Sequence, residues 1–265
     1  MPSGKTFTPL FGTFVILLSP FFPISENAAL AAKPPYIVVL DPGHGGVDTG
    51  TLAGTGKKRI LEKDITLAIT IRTEKILNDP KYAKTLGRKI KVLVTRRSDV
   101  EVPLEARAEL AKSNHADLFV SIHVNSDTTH TVQGLETYFL NNTDSESSSK
   151  LEQIENRTSK KYGSGKSLLM RTVAADAVTE VSREAAKTIH SSLADHLRSE
   201  DVPFHDRGVK QAMLYVLLDS QVPAVLIEAF YLSHKKDLIL ITDPENRQKI
   251  AEGIAKGVLR FLALQ

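Results

Sequence analysis

YIVVLDPGHGG, running from Tyr36 to Gly46, passes from an apolar run straight into a polar, glycine-rich loop. A continuous β-branched run of this kind fits a strand buried on both faces, as in a parallel sheet covered by helices. The same form recurs in Asp117 to His123 (DLFVSIH) and in Ala224 to Ile227 (AVLI), which ends on Glu228. Ile90 to Thr95 and Leu135 to Leu140 add two strands, and Ala212 to Leu218 reads as another. Helical spacing fills the gaps. Glu62 to Asn78 places Ile65, Ala68, Ile69 and Ile76 on one face, and Pro103 to Asn114 opens with proline in its first turn. A long helix carries Val178, Val181, Ala185, Ile189, Leu193 and Leu197, and Asp243-Pro244 caps a last one. Strands alternating with helices predict an α/β fold: a single domain whose twisted, mostly parallel or mixed sheet has helices on both faces.

The 265 residues suit one domain with a sizeable core. There is no Cys, which excludes disulfide scaffolds, thiolate metal sites and a cysteine nucleophile. Any metal must be held by His and carboxylates. With 34 basic and 31 acidic residues the net charge is +3, which makes no case for nucleic acid as a partner.

Residues 1–31 read as a secretory signal peptide. Lys5 supplies the positive charge, Phe7 to Ile24 is nearly all apolar, and Ala29-Leu30-Ala31 offers a small-x-small cleavage site. Pro9, Pro20 and Pro23 break the run below the roughly 18 apolar residues that a membrane span wants. Export to the periplasm or beyond is therefore expected, with residues 32–265 as one catalytic domain and no stable membrane anchor after cleavage.

In an open α/β sheet, sites gather beyond the carboxyl ends of strands. Three apolar runs finish there on side chains able to bind metal or move protons: His44 after the first, His123 after the second, Glu228 after the third. Glu62 stands in the first helical turn after the loop that carries His44. Two imidazoles and a carboxylate make a zinc set with an open position, and a further carboxylate is what a zinc hydrolase needs as general base. Singly, each has an ordinary reading as a loop histidine or a helix-terminal acid. Glu228 is the least ordinary, because a charge ending a buried run is costly unless paired, protonated or near a metal.

DPGHGG, the EKD beginning at Glu62, LFVSIHVNS and PAVLIEAFYLS, in this order, resemble the zinc-dependent N-acetylmuramoyl-L-alanine amidases. The resemblance covers about residues 35 to 263. It implies a zinc amidase/exopeptidase-like fold, one Zn2+ on His44, Glu62 and His123, and Glu228 as the catalytic glutamate. The implied reaction cuts the amide between N-acetylmuramic acid and the L-alanine of the peptidoglycan stem peptide, in cell-wall remodelling or cell separation. After Glu228 the family usually reads Gly-Phe or Ala-Phe and ends Ser-Asn, where this chain has Ala229-Phe230-Tyr231-Leu232-Ser233-His234. Two other readings stay open: a zinc carboxypeptidase or endopeptidase on the stem peptide, and an inert wall-binding protein on the same fold.

Residues 141–166 are Ser-rich and polar, the composition of a solvated loop. Family members of the AmiA, AmiB and AmiC type carry an insertion here, with a helix that blocks the zinc until a division-site activator protein displaces it. In this chain Leu151 to Asn156 (LEQIEN) is able to form a helical turn, which makes Glu155 or Glu152 candidate autoinhibitory ligands. Ser147 and Lys150 match the S-x-x-K pattern of penicillin-binding serine acyltransferases, as do Ser233 and Lys236, though a serine of that kind must start a buried helix.

Overall fold

The computed structural model describes residues 33–56, 59–159 and 176–265. The expected signal segment and residues 160–166 of the insertion lie outside them. The main sheet comprises β1 (Tyr36–Pro42), β4 (Ile90–Val94), β5 (Leu118–Asn125), β6 (Leu135–Leu140), β7 (Asp206–Ala212) and β8 (Ala224–Tyr231), in the order β4-β1-β5-β8-β6-β7. All neighbours run parallel except β6 and β8, which are antiparallel. The short strands β2 (Leu52–Ala53) and β3 (Ile60–Leu61) form a separate antiparallel pair. The expected mixed α/β sheet is what the chain builds.

Side-chain alternation along β1 divides the core. Val38 and Leu40 face one layer, with α1 (Glu62–Leu77), α5 (Asp176–Ser199) and α8 (Pro244–Leu262). Val39 faces the other, with α3 (Leu104–Ser113), α4 (Glu146–Glu155) and α6 (Tyr215–Ser220). Burial on both faces is why β1, β5 and β8 read as unbroken apolar runs. Two further helices, α2 (Pro80–Leu86) and α7 (Lys235–Thr242), complete the described elements. No described helix is long and apolar enough to cross a membrane.

One expected strand is misplaced. Ala212 to Leu218 is not a strand: β7 lies upstream, over Asp206–Ala212, and Tyr215–Ser220 is helix α6. At the sheet edge β7 buries only Ala212, so it has no apolar run to announce it. Val216, Leu217 and Leu218 are all buried in α6, and so short an apolar stretch carries no period that separates helix from strand. The helical turn expected from Leu151 is longer than foreseen, beginning at Glu146.

Candidate metal centre

β1 ends at Pro42, and the next two residues bend its chain into the site. His44 adopts φ 59°, in the left-handed region that non-glycine residues seldom enter. Two buried arginines hold this turn. Arg107 donates to the carbonyls of Pro42 and His44, at 2.7 and 2.6 Å, and pairs with Asp41 at 2.7 Å. Arg96 donates to the carbonyls of Pro42 and Gly43, at 3.1 and 2.8 Å. Gly43 has no room for a side chain, since a Cβ would overlap the His123 ring. Burial opposes charge on Asp41, but Arg107, Thr95 and Ser121 outweigh it and hold the carboxyl below its ordinary value.

Glu62 is the first residue of α1, fixed to the loop before it by the Glu62 amide donating to the Thr51 carbonyl at 2.9 Å. Its carboxylate accepts from the Thr51 amide at 2.7 Å and the Val124 amide at 2.9 Å. His123, on β5, brings Nδ1 to 3.2 Å from Glu62 Oε1, and His44 Nε2 lies 3.1 Å from the same oxygen. The other ring nitrogen of His44 meets Asp48 Oδ2 at 2.8 Å, which fixes the ring so that Nε2 faces the pocket. Asp48 was not foreseen; its signal was a carboxylate four residues after His44 in a loop.

A fourth donor enters from the insertion. Glu155, the last residue of α4, places Oε2 3.1 Å from His123 Nδ1 and 3.6 Å from His44 Nε2. One donor atom from each of His44, Glu62, His123 and Glu155 lies within 4.8 Å of the other three, a grouping able to hold a metal ion. The chemistry fits: N and O donors suit zinc, and His44 Nε2 is buried with no hydrogen-bond partner among the described residues. Burial opposes protonation of His44, but Glu62 and Glu155 outweigh it and push its pKa up to about 11. Glu62 is held below the usual carboxylate range, with the two histidines overcoming its burial.

Glu228 stands beside His123 in the β5–β8 register. It is 1% exposed, and neither carboxylate oxygen has a hydrogen-bond partner among the described residues. Burial first, then the charges of Glu155, Glu62 and Glu136, raise it well above the usual carboxylate range. Two residues on, Phe230 is fully buried at φ 78°, a conformation bulky side chains rarely adopt, and the β5–β8 register shifts at this level.

Of the two acidic candidates in the insertion, only Glu155 joins the cluster. Glu152 instead accepts from the Met213 amide at 2.6 Å, anchoring α4 to the segment after β7. Asn156 strengthens that anchor, accepting from the Tyr215 amide and donating to the Met213 carbonyl. Ser147 is exposed in the first turn of α4, and the Lys150 ammonium is taken by Glu146 at 2.9 Å. The burial an activated serine requires is missing there.

A family model described as N-acetylmuramoyl-L-alanine amidase matches residues 38–260. The chain is 33% identical over 230 residues to the N-acetylmuramoyl-L-alanine amidase AmiA of Escherichia coli (strain K12), covering 85% of this chain and 75% of that protein. Among solved structures it is similar to the N-acetylmuramoyl-L-alanine amidase from Clostridium difficile 630, with TM-score 0.64 and 29% identity over 86% of this chain and 97% of that one. It is also similar to the CwlD amidase from Clostridioides difficile, solved in complex with the GerS lipoprotein, with TM-score 0.61 and 25% identity over 87% of this chain and 100% of that one.

Proposed function

The chain belongs to the N-acetylmuramoyl-L-alanine amidase family, and from that membership we propose how its own residues perform the hydrolysis of peptidoglycan. The bond cut joins the lactyl group of N-acetylmuramic acid to L-alanine. His44, Glu62 and His123 would hold one zinc ion, with Asp48 and the Thr51 and Val124 amides orienting His44 and Glu62. Bound there, zinc supplies polarisation of the scissile carbonyl and lowers the pKa of water towards about 7. Glu228 takes the proton from the attacking water and passes it to the departing amine of L-alanine. Its two oxygens, buried and unpartnered among the described residues, are the observation that carries this role, since no contact there competes for them.

A second observation supports control of the same site. Glu155 stands where an additional ligand would, at the end of a helix clamped by Glu152 and Asn156. We infer that α4 holds the free enzyme in a restrained state until a partner, such as a division-site activator protein, displaces it. The leader-like residues 1–31 support action outside the cytoplasmic membrane, where peptidoglycan lies.

Mass spectrometry of products from purified peptidoglycan and defined muropeptides, with Glu228→Ala alongside, tests the reaction. Stem peptides with free L-alanine amino termini, absent with the variant, are expected. Released D-alanine instead would indicate a carboxypeptidase; no product would leave a self-inhibited enzyme or a binding protein, and shortening residues 141–166 separates those two.

A further inference from the structure

Beside the metal pocket, and sharing Ile154 and Arg157 with it, runs a groove of about 570 Å³. Its cations differ in what they already hold. Arg157 is bonded to Asp48 at 3.0 Å, and Lys150 to Glu146. Arg207, in β7, uses only Nε, which donates to Glu136; its two terminal nitrogens have no hydrogen-bond partner among the described residues. Glu136 is fully buried and also takes Lys210 and the Tyr138 hydroxyl. One carboxylate therefore faces two cations, which leaves a positive charge over. The Tyr231 ring flanks the guanidinium, 5.9 Å from its carbon, and the same two residues line the groove. A planar cation fixed at one nitrogen and free at the other two is built for a carboxylate.

We infer that Arg207 is a specificity-determining residue that receives the free carboxylate on the second residue of the stem peptide. The inference rests on the amidase reading above. Stem peptides commonly carry an acidic residue after L-alanine, joined through its side-chain carboxyl, so that its α-carboxylate stays free. The strand order places β7 two positions from β8, about 10 Å from the strand that carries Glu228. Two extended residues past the cut span about 7 Å, and the arginine side chain covers the remainder.

The test uses the zinc-loaded full chain and two muropeptides that differ only in that group, acid in one and carboxamide in the other. The expected kcat/KM is about tenfold or more higher for the acid, with the difference in KM. Arg207→Gln reduces the preference to within about twofold, whereas Lys210→Gln, which touches Glu136 but does not line the groove, keeps it. Equal kcat/KM for the unmodified enzyme on both substrates overturns the proposal, and needs no variant to fold. An equal loss on both substrates in Arg207→Gln overturns it too, as the mark of a structural role. Calorimetric binding of the two muropeptides to the Glu228→Gln protein reads the same preference without turnover; equal affinity, or no binding of either, counts against it. Failure of the amidase reading shows separately, as absence of free L-alanine amino termini from both substrates.

Discussion

Glu228 and Glu136 stand directly opposite each other across the antiparallel β8–β6 ladder, both buried; among the described residues one has no hydrogen-bond partner and the other has three. Burial opposes the charge on Glu136, yet Lys210, Arg207 and Tyr138 hold its carboxyl below the usual range, while Glu228 is raised well above it. Glu228→Gln should lower turnover by about 10²–10⁴ and leave the unfolding midpoint unchanged or higher, because it removes the cost of ionising a carboxyl in a buried site. Glu136→Gln should instead lose about 1–3 kcal/mol by weakening the contacts of two cations and a hydroxyl. Product assays and thermal melts on both variants separate the two roles.

Chelation should abolish hydrolysis while leaving the sheet folded, since the four donors sit on strand and helix ends above an apolar core. Re-addition of zinc should restore activity and raise the melting temperature in a concentration-dependent way. Without metal, Glu62 and Glu155 outweigh burial and push His44 up to about 11, so zinc uptake near neutral pH should expel a proton. Acid release during a zinc titration in weakly buffered solution reads this directly; none on saturation would contradict it.

Glu155→Gln should raise the activity of the free enzyme by about tenfold, equivalent to about 1.4 kcal/mol of restraint removed. The same change should weaken zinc binding, as the cluster loses one of its anionic donors. Unchanged activity with unchanged metal affinity would mean that Glu155 only rests beside the site.

Asp41→Asn should cost about 3–5 kcal/mol at neutral pH, because it leaves the buried Arg107 guanidinium without its counter-charge. The carboxyl is depressed in the folded state, so its stabilisation is fully present above the unfolded value of 3.8 and fades as pH falls through the folded value. Denaturant melts of the parent protein and the variant should therefore begin to converge below about pH 4 and meet only below the depressed folded value.

Gly257→Ala should destabilise the chain by about 1–3 kcal/mol. The added Cβ would lie 2.6 Å from Ile189 Cα and 3.0 Å from the Ile189 carbonyl oxygen, so α8 must move away from α5. A lower midpoint with unchanged product specificity is the expected outcome.

What was legible in the sequence followed burial. β1, β5 and β8 are covered on both faces, so their apolar runs stood out, and His44, His123 and Glu228 were visible as metal-competent or acid–base side chains at or just beyond the ends of those runs. β7 escaped notice because an edge strand with Arg207 and Lys210 has no apolar signature, and that is where the groove's Arg207 lies. Asp48 escaped because an acid four residues after His44 reads as an ordinary loop residue, and Arg96 because its partners are distant in sequence. Arg96 reaches the carbonyls of residues more than 50 positions away, a relation no spacing encodes. Of the two candidate glutamates in the insertion, the sequence could not separate Glu155 from Glu152, since only the docking of α4 decides which points inward.

That docking has an electrostatic side. The segment which brings Glu155 to the histidines also brings Arg157 to Asp48, so it enters the metal pocket carrying one negative and one positive charge. Lifting it away removes both together, and the net charge around the zinc position is the same before and after. A partner that opens the site then works against contact and burial, not against a long-range field. Salt should ease opening only modestly, by screening the exposed Arg157–Asp48 pair, and the charge that greets an incoming anionic substrate should not depend on whether the helix has just left.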